Sequence, residues 1–142
     1  MRWASVEQAA DALSMISQGF GPHTREQWLA LTAPQLKPDG RGGFVPHYDP
    51  AIGVPFRSLT PELAAAGEAA LWAAYDSLCC PTLLLRGAES DLLSKETAAQ
   101  MAGRGPRARV HEFPGVGHAP TLVQSQQRAV VREFLLGRPA GA

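Results

Sequence analysis

Cysteine is scarce in this 142-residue chain: there are two, Cys79 and Cys80, and they are adjacent. Neighbouring cysteines make a strained disulfide and a poor metal site, and no Cys-x-x-Cys spacing exists, so a disulfide framework and a zinc module are excluded. The pair is expected to serve as small apolar side chains where a buried strand begins. Net charge is missing too, with thirteen Lys and Arg against thirteen Asp and Glu. A nucleic-acid or anionic-membrane partner needs concentrated positive charge, so neither is expected. No apolar run approaches the length that crosses a bilayer, and the opening MRWASVEQ lacks the apolar core of a secretion signal. A cytoplasmic location is the resulting expectation. Four histidines at irregular spacing suggest no metal site, and no cofactor is expected. Internal repeats and low-complexity linkers are absent.

What is present describes a folded chain. Apolar residues make up 45% and charged residues 18%, a globular balance with material for one domain. Ser5 with Gln8 is a helix-start signature, and Val6, Ala9, Ala10, Leu13 and Ile16 follow at helical spacing until Gly19. Thr24 with Gln27 repeats the signature ahead of Trp28, Leu29 and Leu31, and Pro34 stops the run. KPDGRGG reads as a turn, with Phe44 to Tyr48 returning as a short strand and Asp49 to Arg57 as an irregular loop. Thr60 and Pro61 open a helix to about Leu78, with Gly67 as a candidate break.

The pattern then changes. Thr82 to Arg86 is a nearly continuous apolar run, predicted to be a strand covered on both faces. Ser94 begins a helix through Met101, Val110 to Phe113 form a second strand, and Thr121 to Leu136 form a closing helix. Strand, helix, strand, helix implies parallel strands joined by a right-handed crossover, with helices on the sheet faces. The predicted fold class is α/β, with residues 1–70 as a mainly helical region holding a small hairpin and residues 71–142 as the strand-bearing part.

Ligands in open parallel sheets bind beyond the carboxyl ends of the strands. Asp91 follows the first strand in PTLLLRG-AESD, and His118 follows the second in RVHEFPG-VGHAP. Adjacent parallel strands place both at one rim. A carboxylate that fixes an imidazole tautomer supplies two of the three members of a hydrolytic triad. The third, a serine on a Gly-x-Ser-x-Gly elbow, occurs nowhere in the sequence. Gly87, Gly115 and Gly117 are read as points where the chain turns sharply out of the strands. Glu89 is the rival acid, read as a solvated loop carboxylate. Asp76 and His111 are read as surface groups, and Trp72 and Tyr75 as core. Ser90 and Ser94 lack the flanking glycines of a nucleophile, and Ser94 fits a helix cap.

On these motifs, the chain from about Trp72 to Leu136 resembles the C-terminal part of an α/β-hydrolase, in which the triad acid follows the penultimate strand and the histidine follows the last. GAESD matches the acid turn and GVGHAP the histidine loop. The upstream helices and hairpin resemble the lid that such enzymes insert before these strands. The resemblance implies Asp91 as orienting acid and His118 as general base, then general acid. It also implies an ester, thioester or amide substrate and no cofactor or metal. The family's nucleophile elbow and oxyanion loop have no counterpart here. The chain is therefore expected to be silent alone, acting on a small-molecule substrate only when a nucleophile-bearing half is supplied. Two other accounts stand beside it: an interaction module that self-associates through the open edge of Thr82 to Arg86, and a truncated gene product.

Overall fold

The computed structural model describes residues 1–118 and 120–137. The chain divides into two compact units, one of residues 1–18 and 22–58, the other of residues 19–21 and 59–142.

In the first unit, helix α1 (Val6–Ile16) begins at Ser5, whose Oγ accepts from the Gln8 N–H at 3.2 Å. The Gln8 side chain returns to the Ala4 N–H at 2.7 Å. Helix α2 (Arg25–Thr32) has the complete reciprocal cap, with Gln27 N–H on Thr24 Oγ1 and Thr24 N–H on Gln27 Oε1. α1 packs against α2, and the two alanines that the spacing pointed inward, Ala9 and Ala10, are fully buried. Strands β1 (Leu36–Pro38) and β2 (Phe44–Pro46) form an antiparallel hairpin with Leu36 opposite Pro46. Its turn is organised by one carboxylate. Asp39 Oδ1 accepts from the Arg41 and Gly43 N–H groups at 2.7 and 2.9 Å, and Oδ2 accepts from Arg2 Nε at 2.5 Å. Those backbone N–H groups first, and the Arg2 guanidinium with them, hold the Asp39 carboxyl down at about 2. Trp3 adds an isolated antiparallel bridge beside β2, exchanging both backbone hydrogen bonds with Phe44. Residues 49–57, read as an irregular loop, hold two short 3-10 turns, Pro50–Gly53 and Pro55–Ser58.

The second unit contains helix α3 (Pro61–Asp76), strand β3 (Leu83–Gly87), helix α4 (Lys95–Gly103), strand β4 (Arg109–Phe113) and helix α5 (Ser125–Leu136). β3 and β4 pair in parallel, from Leu83 opposite Arg109 to Gly87 opposite Phe113, as the alternation of elements predicted. α3 runs unbroken through Gly67. Its end is tied to α4 by the Tyr75 hydroxyl donating to the Met101 carbonyl at 2.7 Å. Arg104 pairs with Asp76 and lies 4.5 Å over the Trp72 ring, and its guanidinium lowers the Asp76 pKa.

Three expectations are corrected here. Cys79 and Cys80 are free and exposed in the turn between α3 and β3, rather than buried where the strand begins. Leu83, Leu84 and Leu85 are half-buried rather than covered on both faces. The closing helix begins at Ser125 instead of Thr121, since Leu122 is left-handed (φ 58°) and its N–H is taken by the buried Gln127 side chain at 2.8 Å. Among the described residues, no helix is long and apolar enough to cross a membrane.

Candidate active site at the strand ends

A buried arginine organises the site. Arg86 is the fourth residue of β3 and only 3% exposed, although it lies at the end of an apolar run. Unpaired, such a charge would cost several kcal/mol, on the order of the desolvation of one ion. The parallel register puts Glu112 opposite it, and Nη1 donates to Glu112 Oε2 at 2.6 Å. The rest of the guanidinium serves the loop that follows. Nε donates to the Leu93 carbonyl at 2.7 Å, Nη1 to Ala88 at 3.2 Å and Nη2 to Ser90 at 3.4 Å. One planar fork thus holds three carbonyls of residues 88–93, the loop that carries Asp91.

The histidine loop is joined to that loop by main-chain bonds. Ala88 N–H donates to the Phe113 carbonyl at 2.9 Å, and Glu89 N–H to Val116 at 3.0 Å. Gly117 N–H donates to Gly19 at 2.5 Å. Gly87 is required for space rather than for a sharp exit. A Cβ there would collide with the backbone oxygens of Val116 and Gly117. Gly115 does adopt a left-handed φ of 68°, the turn that starts the histidine loop.

This framework sets the sequence-derived residues as follows. His118 is exposed, five residues beyond β4, with Nδ1 3.2 Å from Ser90 Oγ. Asp91 is exposed in the loop after β3 and makes no hydrogen bond or ion pair among the described residues. The structure therefore brings both loops to the same end of a parallel strand pair, and the hydroxyl in contact with the imidazole belongs to Ser90. Glu89 is exposed. Ser94 caps α4 by accepting from the Thr97 N–H at 3.0 Å. Within the first turn of α4, its own backbone N–H and the Ser94 hydroxyl hold the Glu96 carboxyl below its ordinary range. His111 sits in β4 opposite Leu85, its ring 4.7 Å from that of Phe113. Among the described residues, no three His, Cys, Asp or Glu side chains converge as a metal site.

Two functional features escaped the sequence. Arg86 closes an apolar run, yet a charged residue one position before the strand-end glycine signals a buried partner. Glu112, at the same place in the second strand, is that partner. Ser90 lacks the flanking glycines of a nucleophile, and no spacing rule reports a contact with an imidazole 28 positions away.

Known proteins resemble the chain over nearly its whole length. Residues 2–133 match the alpha/beta hydrolase family. The chain is 47% identical over 140 residues to a 3-hydroxybutyrate-oligomer hydrolase of Cupriavidus necator, covering 96% of this chain and 48% of that protein. It superposes on an alpha/beta hydrolase of Novosphingobium aromaticivorans with a TM-score of 0.76 at 32% identity, over 96% of this chain and 47% of that one. An esterase of M. tuberculosis shares the fold at a TM-score of 0.66 and 23% identity, over 95% of this chain and 42% of that one. The chain spans about half the length of the relatives it matches. Strand pairing, loop placement and these likenesses lead to one conclusion: the chain belongs to the alpha/beta hydrolase family.

Proposed function

We propose that this chain supplies the histidine-bearing half of a serine-type hydrolase acting on esters. The observation that carries the reading is the stitched pair of loops at the carboxyl ends of β3 and β4, with His118 in one and Asp91 in the other. His118 is the general base and then the general acid, and Asp91 is the acid that offsets the imidazolium charge. Residues 1–70 form the lid region and residues 71–142 the core portion. The name of the Cupriavidus necator relative suggests an oligomer of 3-hydroxybutyrate as substrate, an ester of a small hydroxy acid.

In the reaction, a serine from a nucleophile-bearing half attacks the ester carbonyl while His118 takes its proton. The acyl–oxygen bond breaks, the acyl group stays on the serine, and His118 returns the proton to the departing alcohol. Water then attacks the acyl-serine, again through His118, releasing the acid and restoring the serine. The oxyanion donors come from the same half as the nucleophile.

Two measurements test this. The purified 142-residue chain, incubated with a fluorophosphonate serine probe and activated esters, is expected to show neither labelling nor turnover. Stoichiometric labelling of one of its own serines, lost on His118→Ala, would overturn the division of labour. Combined with a nucleophile-bearing half, it is expected to gain ester hydrolysis that falls about a thousandfold or more on His118→Ala. A second reading rests on the uncovered flank of the second unit, where β3 has β4 as its one described strand neighbour and α3 buries no residue. That surface also suits self-association of the chain through the open strand edge. Light scattering during size-exclusion chromatography separates the two, because a stable monomer argues against pairing.

A further inference from the structure

His118 stands on a segment that is fastened on both sides. Just before it, Gly117 is buried and its N–H donates to the Gly19 carbonyl at 2.5 Å. A Cβ on Gly117 would collide with that same oxygen. On the far side the fastening comes from α5. Gln127, the third residue of that helix, is only 3% exposed, and its Oε1 accepts from the Leu122 N–H at 2.8 Å. Its neighbour Arg128 donates through Nη1 to the Val123 carbonyl. The helix has no side-chain cap at Gln124, and two side chains of its own first turns reach back to the incoming chain instead. Leu122 is the residue that needs holding. Its φ of 58° is left-handed, a region that leucine rarely occupies and keeps only where its surroundings impose it. A glutamine is mostly an exposed residue, and the bond to Leu122 is what its burial accomplishes here. Four positions, 118 to 121, separate the two fastened residues, and Pro120 removes one more backbone freedom between them.

We propose that Gln127 is a positioning residue for His118: by holding Leu122 in its left-handed turn, the buried amide fixes the place from which the imidazole meets the Asp91 carboxylate. The inference rests on the reading of His118 and Asp91 as a histidine–acid pair, but its test needs no substrate. The full 142-residue chain, labelled with 13C in its four histidines, is examined by NMR at one fixed pH, with His118→Gln assigning the His118 ring. The quantity read is the displacement of the His118 ring signal that D91N causes, first in the parent chain and then in each Gln127 variant. A glutamine that only stabilised α5 would alter exchange along the helix without altering how His118 senses position 91.

D91N is expected to displace the signal in the parent chain, because it removes a charge that the imidazole senses. Q127M, which keeps the length of the side chain and removes the acceptor, is expected to cut that displacement to about half or less. Q127E, which keeps an acceptor at the same reach, retains it. Q126M makes the same change on the exposed neighbouring glutamine and leaves it within error. Unchanged amide dispersion outside residues 118–124 shows that the fold persists in each variant. The parent chain supplies a measurement that depends on no variant: exchange of the Leu122 amide is expected to be slowed about tenfold or more. An unprotected Leu122 amide would overturn the proposal. An equal displacement in the parent chain and in Q127M overturns it too, and leaves the histidine–acid reading standing. A His118 signal that D91N does not move removes that reading, and this inference with it.

Discussion

Helices α1 and α3 start alike and end up in different surroundings. Each opens on a hydroxyl cap, Ser5 or Thr60, and each is rich in alanine. α1 buries Ala9 and Ala10 within its own unit, whereas the sixteen residues of α3 include none that is buried, and Leu71 is 74% exposed. Local signals are sufficient to wind either helix, but burial needs an opposing surface. The same contrast runs through the second unit. At the strand ends the two loops are tied together within the chain, by Arg86, Glu112 and the main-chain bonds between the loops. Along α3 its apolar flank is open, in a chain that spans about half the length of its relatives. The loops at the strand ends find their partners within the second unit, and the α3 flank does not.

That contrast can be broken most directly at Gly87. Gly87→Ala forces a methyl group into the backbone of residues 116 and 117. The expected loss is about 4 kcal/mol or more in urea unfolding, the scale reserved for core strain. Tolerance within about 1 kcal/mol would mean that the loops are not tightly joined. Arg86→Met is next. It leaves Glu112 and three loop carbonyls without their donor, and about 2 to 3 kcal/mol is expected, since Glu112 is 42% exposed and partly resolvated. The accompanying sign is faster hydrogen exchange confined to residues 88–93 and 114–118. In α3, by contrast, a comparable polar-to-apolar change on its exposed face should move nothing.

In the first unit the expected effect is smaller. Asp39 titrates at about 2 in the fold against an ordinary 3.8, so its carboxylate stabilises the hairpin turn above about pH 4. That contribution is lost as pH falls from 4 through 2, because the unfolded chain takes up the proton first. The Arg41 and Gly43 amide signals should shift across that window, and Asp39→Asn should abolish the shift while leaving residues 88–93 unaffected.

Much of the fold was legible because it depends on near neighbours. The caps at Ser5, Thr24, Thr60 and Ser94 all form as their spacing implied. The β-α-β alternation correctly gave a parallel pair, and both candidate loops follow strand ends. The start of α5 was misread because the apolar pattern continues through Leu122, while a side chain five residues later captures its N–H. The cysteines were misread because an apolar neighbourhood in sequence says nothing about what covers it. Trp3 joins the hairpin through backbone bonds, which carry no residue-type signal at all.

What the amino-acid order settled by itself is the set of local elements and the residue types offered at the strand ends, since capping, turn and strand preferences act over a few positions. What required tertiary structure is which groups meet: Arg86 with Glu112, Gly87 with the backbone of residue 117, and Ser90 with His118. Those contacts depend on strand register and on the approach of two loops to within one hydrogen bond. Neither is written in any single segment.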